Sequence, residues 1–422
     1  MLGMEKGASF RRSALDLRRS ITPAGVGVAI AATLFGEGPV FLLLKVLDEA
    51  NLASDLAVSW LTIIFLVAGV LTVIFSLYYR QPIQFAYSIP GVAIIGSALT
   101  RYEFNAVLGA ILISGVLVFG LGASGAFKWV LQYIPIPVIQ GMIAGALVTY
   151  GIAIIKALPE DPLVAGGTLA VFIVFSMFPV LARRFPPILS ALVLGFLIAV
   201  LAGKVTLDAL TFQVASLTFV APAFNLGAIL ELTIPLTILT VGFGNVQAIG
   251  ILKTQGYQPP INAFVLLSGL GTIVNSLFGG HNTVVGGPTV AMMAGPDIGE
   301  KDRRYSAATL AGALMVVVAV ISPFVISFTN AVPGAFIDVL AGLAMLSVIA
   351  NNFAAAFSSK LKMGALFALI ITMSGFTAFN IGATLWAIIG GAVISLLLER
   401  DAYLEIIRTN NVVAPTVSGG AS

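Results

Sequence analysis

Cysteine is absent from this chain of 422 residues, and histidine occurs only once, at His281. Without cysteine the protein has no disulfide, no thiol nucleophile and no cysteine-ligated metal site. A single histidine also excludes a histidine-rich metal centre. We therefore expect no metal and no organic cofactor, and we do not expect an intramembrane enzyme, because a catalytic constellation is hard to assemble from what remains.

Charged residues are also scarce. They make up 9% of the chain, whereas a soluble domain carries about a quarter, and the mean hydropathy is +1.07. Apolar runs of about 20 residues recur, such as residues 60–79 and 308–327, and each can cross a bilayer as a helix. The sequence predicts an all-α polytopic membrane protein without a soluble domain. The pI of about 9.1 does not indicate nucleic-acid binding, since the positive charges are spread over short loops.

Fourteen hydrophobic segments can be delimited, two of them short. Their predicted limits are 22–44, 58–78, 88–100, 105–123, 134–156, 167–183, 187–203, 224–251, 262–279, 287–296, 306–328, 333–355, 363–377 and 380–398. With the N-terminus in the cytoplasm, 17 of the 21 Lys and Arg residues fall inside, and only Lys45, Arg101, Lys156 and Lys204 fall outside. This asymmetry follows the positive-inside rule and predicts that both termini are cytoplasmic.

The N-terminal stretch RRSALDLRRS, residues 11–20, has two interpretations. It could form an amphipathic helix on the membrane surface. We favour a solvated basic tail, residues 1–21, that sets the orientation. The first hydrophobic segment is too long for a secretory signal, so we expect it to be retained.

Two halves of the chain resemble each other. PGVAIIGS at 90–97 matches PTVAMMAG at 288–295, and weaker matches follow in the same order. The halves span about 22–212 and 222–400, with seven segments each. Because seven is odd, the second half would be inserted upside down, and such inverted repeats are characteristic of secondary transporters.

The two short segments, 88–100 and 287–296, occupy equivalent places in the two halves. Each is too short to span, contains proline at its start and follows a short extended stretch, at 83–88 and 283–287. We interpret each as a half-helix whose N-terminus lies near the membrane midplane, where free N–H groups and a partial positive charge can bind an anion. The alternative is a kinked helix with a glycine-rich turn; the symmetric placement favours the site.

Segments 244–262, GNVQAIGILKTQGYQPPIN, and 278–305, which begins FGGHNTVVGGPTVAMMAGPD, resemble the benzoate/proton symporter (BenE) family, a relative of the nucleobase–ascorbate transporters. The likeness spans nearly the whole chain. It implies the 7+7 inverted repeat and proton-driven uptake of an aromatic carboxylate across the bacterial inner membrane, with a possible homodimer. It also implies a core domain at 22–125 and 222–328, a gate domain at 132–212 and 330–400, and a cytoplasmic tail at 401–422.

Glu37 lies about fifteen residues into the first segment. An ionisable group at that depth is costly and usually functional, so it is a candidate proton carrier. Alternatively, the helix unwinds at Gly36–Pro39 and Glu37 lies near the outer interface. Asn245, its counterpart in the second half, and the nearby Gln247 would supply neutral hydrogen bonds.

Other titratable residues have two interpretations. His281 could protonate near neutral pH, or could cap the turn before the half-helix. Asp338 is either a proton site in the gate domain or an interfacial residue, and Glu231 is interpreted as interfacial. Aromatic residues such as Phe35 could flank a flat ring or serve packing alone. The predicted proton-coupling residues are Glu37, His281 and Asp338, and the predicted substrate-binding residues are Phe35, Glu37, Tyr87, Ser88, Gly91, Phe243, Asn245, Gln247, His281, Asn282, Gly286, Gly287 and Thr289.

Three functions compete at this point. The first is a proton-coupled symporter for an aromatic carboxylate such as benzoate, working by alternating access of the core domain against the gate domain. The second is a nucleobase/proton symporter, whose neutral substrate fits more easily beside a permanent carboxylate. The third is an anion channel of the same architecture, which would need no titratable carboxylate in its pathway.

Overall fold

The structure is a computed structural model that describes residues 4–37, 39–127, 135–178, 185–210 and 213–405. For residues 34–37 it describes the backbone only. Helices account for most of it. In chain order the elements are α1 (Phe10–Ser20), α2 (Pro23–Glu37), α3 (Val40–Glu49), α4 (Ser54–Tyr79), β1 (Phe85–Tyr87), α5 (Ile89–Leu99), α6 (Phe104–Ser124), α7 (Ile136–Glu160), α8 (Val164–Met177), α9 (Pro187–Leu201), α10 (Leu226–Thr254), α11 (Ile261–Leu277), β2 (Thr283–Val285), α12 (Gly287–Ala294), α13 (Tyr305–Val320), α14 (Ser322–Ala331), α15 (Gly334–Ser358), α16 (Lys362–Ser374) and α17 (Ala383–Leu398).

A helix lies within each of the fourteen predicted segments, and six helices of the described residues are long and apolar enough to cross a membrane. This confirms a helical membrane protein, while the count of fourteen spans stays a prediction. The first segment is interrupted, since α2 ends at Glu37 and α3 begins at Val40. Ten residues of α3 follow the break, so the backbone at Glu37 lies within the segment rather than at its end.

The strands β1 and β2 stand where extended backbone was expected. They pair antiparallel, with Phe85 opposite Val285 and Tyr87 opposite Thr283. The ladder continues on both sides through the Ser88 N–H to the Asn282 carbonyl and the Gly286 N–H to the Gln84 carbonyl, each at 2.9 Å. Backbone at membrane depth must be satisfied within the protein, and this pairing meets that requirement.

Glycine brings several helix pairs into close contact. A Cβ added at Gly69 in α4 would lie 2.7 Å from the Gly312 carbonyl oxygen in α13, and one at Gly141 in α7 would lie 2.2 Å from the Ala365 carbonyl oxygen in α16. Small residues of this kind let membrane helices approach closely. Two sets of closely packed helices result. In the first set, α4 packs against α13 and α6 packs against α11. In the second set, α7 packs against α15 and α16, α16 packs against α17, and α8 packs against α9.

The N-terminal stretch is helical, since residues 10–20 form α1, while its role in setting the orientation stays a prediction. This helix is fastened to the bundle by three contacts. Arg80 pairs with Asp16 at 2.9 Å, the Tyr305 hydroxyl donates to the Ser13 carbonyl at 2.9 Å, and the same hydroxyl lies 3.1 Å from Ser20 Oγ. The amphipathic pattern therefore reflects a helix whose polar face binds the protein.

Candidate functional site

The starts of α5 and α12 line one cavity, with a volume of about 130 Å³. Its described lining residues are all uncharged, and most are apolar. They comprise the ends of the two strands, the first turns of the two short helices, and parts of α10 and α15: Ala86, Tyr87, Ser88, Ile89, Pro90, Leu239, Phe243, Gly244, Gln247, Val284, Val285, Gly286, Gly287, Pro288, Thr289, Val348, Asn351 and Asn352. The expected convergence of the two half-helix starts is therefore present.

The two helix starts differ in how they are capped. At α5, Ser88 Oγ accepts a hydrogen bond from the Gly91 N–H at 3.2 Å. At α12, the capping position is Gly286, and no side chain of the described residues caps the helix. The first N–H groups of a helix have no intrahelical partner, and the second position of α12 is Pro288, which has no N–H. Gly287 and Thr289, which both line the cavity, thus carry the first N–H groups of α12.

His281 is buried and holds the start of α5 in place. Its Nδ1 accepts from the Trp60 indole N–H at 2.9 Å, and its Nε2 lies 3.2 Å from the Ser88 carbonyl oxygen. Because the indole can only donate, Nδ1 carries no proton and Nε2 donates to Ser88. Protonation would set two donors against each other. Of the two interpretations of His281, this arrangement favours the structural one, although the histidine bridges to α5 instead of capping α12.

Two buried asparagines of the predicted set position the strands and do not line the cavity. Asn245 Oδ1 accepts from the Val285 N–H at 2.9 Å and from Ser268 Oγ at 3.2 Å. Asn282 donates through Nδ2 to Ser114 Oγ at 3.1 Å, and its carbonyl continues the strand ladder. Both asparagines therefore bind the strands and helices that hold the half-helices in place.

The helix α10 carries two π-helical turns, Ile229–Thr233 and Leu239–Gly244. Extra residues in such turns re-aim side chains, and they occur often at functional sites. The second turn supplies Leu239, Phe243 and Gly244 to the cavity, and Gln247 follows one turn later. Phe243 and Gln247 were predicted from the sequence as substrate-binding residues, but no sequence pattern indicated the π-helical turn.

The wall contributed by α15 was missed. Val348, Asn351 and Asn352 all line the cavity. Asn351 is exposed and Asn352 is only 3% exposed. Two adjacent asparagines in an apolar segment were the available signal, since polar side chains in a membrane helix usually face the protein interior or a water-filled cavity.

The remaining predicted residues lie elsewhere. The side chains of Phe35 and Glu37 fall outside the described residues. Gly91 supports the α5 cap without lining the cavity. Asp338 pairs with Lys45, which also lies 3.2 Å from Glu49. The predicted residues that the structure brings together at the cavity are Tyr87, Ser88, Phe243, Gln247, Gly286, Gly287 and Thr289.

Asp338 belongs to a separate, charged end of the molecule. Asn352 follows Asp338 by fourteen residues in α15, which at the rise of an α-helix is about 21 Å. At the same end, Arg101 pairs with the buried Glu231, and Glu231 also accepts from the Gly382 N–H at 2.6 Å. The Tyr102 hydroxyl donates to the Asn380 carbonyl. Glu231, interpreted from the sequence as interfacial, has a side chain that is only 1% exposed and joins three segments.

Comparison with known proteins gives consistent results. A sequence model of the family described as "Benzoate membrane transport protein" matches residues 19–397. The inner membrane protein YdcO of Escherichia coli is 28% identical over 82% of this chain and 88% of its own length. The benzoate membrane transport protein of Acinetobacter baylyi is 26% identical over 92% of this chain and 97% of its own length.

Solved structures with the same fold are more distant in sequence. The transmembrane domain of a cyanobacterial bicarbonate transporter, BicA, aligns with a TM-score of 0.58 at 14% identity, covering 87% of this chain and 96% of that one. Murine Slc26a9, an anion transporter in the inward-facing state, aligns with a TM-score of 0.57 at 12% identity, covering 92% and 70% of the two chains. These similarities show the fold.

Proposed function

This chain belongs to the benzoate membrane transport protein family, and from that premise we propose that it is a proton-coupled secondary transporter that imports an aromatic carboxylate such as benzoate. The observation that carries the proposal is the uncharged cavity between the starts of α5 and α12. Its volume of about 130 Å³ compares with an engineered protein cavity of about 150 Å³ that binds benzene. One aromatic ring is thus the size of ligand to expect.

The carboxylate binds at α12 in this proposal. The N–H groups of Gly287 and Thr289 have no competing side-chain cap, whereas Ser88 already occupies the Gly91 N–H at α5. A helix N-terminus also carries about half a positive charge, which favours an anion without any cationic side chain. The ring would pack on the apolar wall, to which Ile89, Leu239 and Val348 contribute.

Transport would proceed by alternating access. We assign the α4, α6, α11 and α13 set, with both half-helices, to the core domain, and the α7–α9 and α15–α17 set to the gate domain. The positive-inside count assigns Lys45 and Arg101 to the outside. Their ion pairs would then close the outer end, and the cavity would open toward the cytoplasm.

Glu37 is the proposed proton carrier. The helix that ends at Glu37, α2, packs against α12, which bears the proposed carboxylate site. An ionised carboxylate near an anionic substrate is repelled, and at low effective dielectric the cost reaches several kcal/mol. Protonation removes that cost, so substrate and proton bind with positive coupling, and each raises the affinity of the other.

The test of the function is flux into proteoliposomes containing the purified protein. Labelled benzoate should accumulate when an inward proton gradient is imposed and should equilibrate without accumulating when the gradient is absent. Uracil, assayed in parallel, should not accumulate. Accumulation of uracil instead would identify a nucleobase symporter, and benzoate flux that ignores the proton gradient would point to a channel or uniporter.

The test of the coupling residue is Glu37→Gln. This variant should bind benzoate with an affinity that varies little between pH 5 and 8, should retain benzoate exchange, and should lose proton-driven accumulation. Accumulation with the wild-type pH profile would remove Glu37 as the carrier, and Asp338→Asn and His281→Gln would then be assayed in the same way.

A further inference from the structure

Asn352 in α15 carries an acceptor that the proposed benzoate site does not use. The residue lines the cavity and is 3% exposed. Its Nδ2 donates to the Val348 carbonyl at 2.7 Å, which fixes the amide orientation because a carbonyl only accepts. Oδ1 is therefore the remaining polar atom, and it has no hydrogen-bond partner among the described residues.

A buried acceptor of this kind requires a donor. Leaving it unpaired costs about 1–3 kcal/mol, and most buried polar atoms in proteins are paired. The carboxylate of benzoate has only acceptor oxygens, and its ring carries no polar hydrogen, so benzoate cannot supply this bond. A ring hydroxyl or amino group can.

We propose that Asn352 is a specificity-determining residue and that the substrate is an aromatic carboxylate bearing a hydrogen-bond donor on its ring, such as a hydroxybenzoate. The inference rests on the proposed function and narrows its substrate class. The carboxylate binds the start of α12, and the ring hydroxyl donates to Asn352 Oδ1. The substrate then bridges α12, which packs against α13, and α15, which packs against α7.

Asn351 provides a matched control. It is the adjacent residue, has the same side chain and also lines the cavity, but it is exposed. Its amide can be satisfied by water, so replacing it leaves no buried acceptor unpaired.

The experiment measures binding of benzoate, the three hydroxybenzoate isomers and the corresponding methoxybenzoates to the purified full chain. At least one hydroxybenzoate should bind the wild type roughly tenfold or more tightly than benzoate, because it pairs a buried acceptor. The matching methoxybenzoate, which has no donor, should lose that advantage. In Asn352→Leu the preference should vanish while benzoate binding persists, and Asn351→Leu should keep the wild-type preference.

The outcomes separate the inference from the proposed function. If no aromatic carboxylate binds the wild type, the proposed function fails. If benzoate binds as tightly as every hydroxybenzoate, the function stands and the role of Asn352 is refuted. Preservation of the preference in Asn352→Leu also refutes it. Because the wild-type ligand series alone can refute the inference, it stays testable even if Asn352→Leu does not fold.

Discussion

The charged end of the molecule and the uncharged cavity differ in the residues that build them. At one end, Lys45 pairs with Asp338, and Arg101 pairs with the buried Glu231, which also binds the Gly382 backbone. At the other end, about 20 Å away along α15, the described residues around the cavity are all uncharged. One end is held by charge pairs, and the other offers space, helix ends and a buried amide. The proposed substrate recognition and the proposed closure thus depend on different residues.

Three of the ion pairs involve cations that the sequence assigns to the outside. Of the four Lys and Arg residues assigned outside, Lys45, Arg101 and Lys204 each contact an acidic side chain. Lys204 lies 2.8 Å from Asp161. In the predicted orientation these cations are exceptions to the positive-inside rule, and each has an acidic partner that would stabilise it there.

The largest effect should come from filling the uncharged end. A Cβ at Gly287 would lie 2.5 Å from Gln247 Oε1, and a leucine would extend into the cavity where the substrate carboxylate is proposed to bind. Gly287→Leu should reduce benzoate uptake to background in proteoliposomes while the protein still inserts and purifies normally.

Gly295→Leu is the matched control, because the nearest atoms to a Cβ at Gly295, at the opposite end of α12, are 4.0 Å away. It should transport at a rate close to that of the wild type. Normal uptake by Gly287→Leu would show that the start of α12 is only a structural turn.

A second prediction breaks the charged end. Arg101→Gln leaves Glu231, whose side chain is 1% exposed, without its cationic partner. Removing one member of a buried pair costs about 3–5 kcal/mol. Thermal unfolding in detergent should therefore occur at a clearly lower temperature than in the wild type. The double variant Arg101→Gln with Glu231→Gln should recover much of the loss, since no buried charge remains; if it were as unstable as the single variant, the loss would have another cause.

The same variants can report on closure, because the chain contains no cysteine to interfere. Val348→Cys places a single thiol in the cavity wall. In a chain with Val348→Cys as its only substitution, a membrane-impermeant thiol reagent should label the thiol only when it is added on the proposed cytoplasmic side. When Arg101→Gln is also present, labelling from the proposed outer side should appear. Unchanged sidedness would mean that the charge pairs stabilise the fold without controlling access.

The sequence revealed the half of the site that depends on local signals. Proline at the start of two short apolar segments, each after an extended stretch, led to β1, β2 and the starts of α5 and α12. It could not reveal partners distant in sequence. The pairing of His281 with Trp60 joins residues 221 positions apart, and that of Glu231 with Arg101 joins residues 130 apart.

Helix phase set a second limit. Asn351 and Asn352 differ by about 100° around α15, so one is exposed and the other is buried. Composition alone does not fix which is which. The π-helical turns of α10 contain Glu231 and Phe243, and the periodicity of the segment likewise gives no sign of them.

The smallest expected effect compares two ion pairs at the charged end. Lys45 lies in the predicted core domain and Asp338 in the predicted gate domain, whereas Asp161 and Lys204 both follow helices of one set, α7 and α9. Asp338→Asn should therefore shift the sidedness of Val348→Cys labelling. The shift should be smaller than that of Arg101→Gln, because both members of the Lys45–Asp338 pair are partly exposed. Asp161→Asn should leave the sidedness unchanged and reduce stability less than Arg101→Gln does, because Lys204 is 44% exposed and asparagine can keep the bond from the Val164 N–H.

The contribution of the Asp161–Lys204 ion pair to stability should also depend on pH. Burial alone would raise the pKa of Asp161, but hydrogen bonds from Lys204 and the Val164 N–H and the Lys204 charge hold that pKa below its ordinary value of 3.8. A lowered folded-state pKa contributes stability above the unfolded value, and this contribution disappears as the pH falls through the folded-state pKa. The stability difference between wild type and Asp161→Asn should thus be constant from pH 5 to 7 and shrink below pH 3.8. A stability difference that persists undiminished at lower pH would show that packing, not the Asp161–Lys204 ion pair, stabilises this region. Equal Val348→Cys labelling in Asp338→Asn and Asp161→Asn would show that the two ion pairs do not differ in their effect on access.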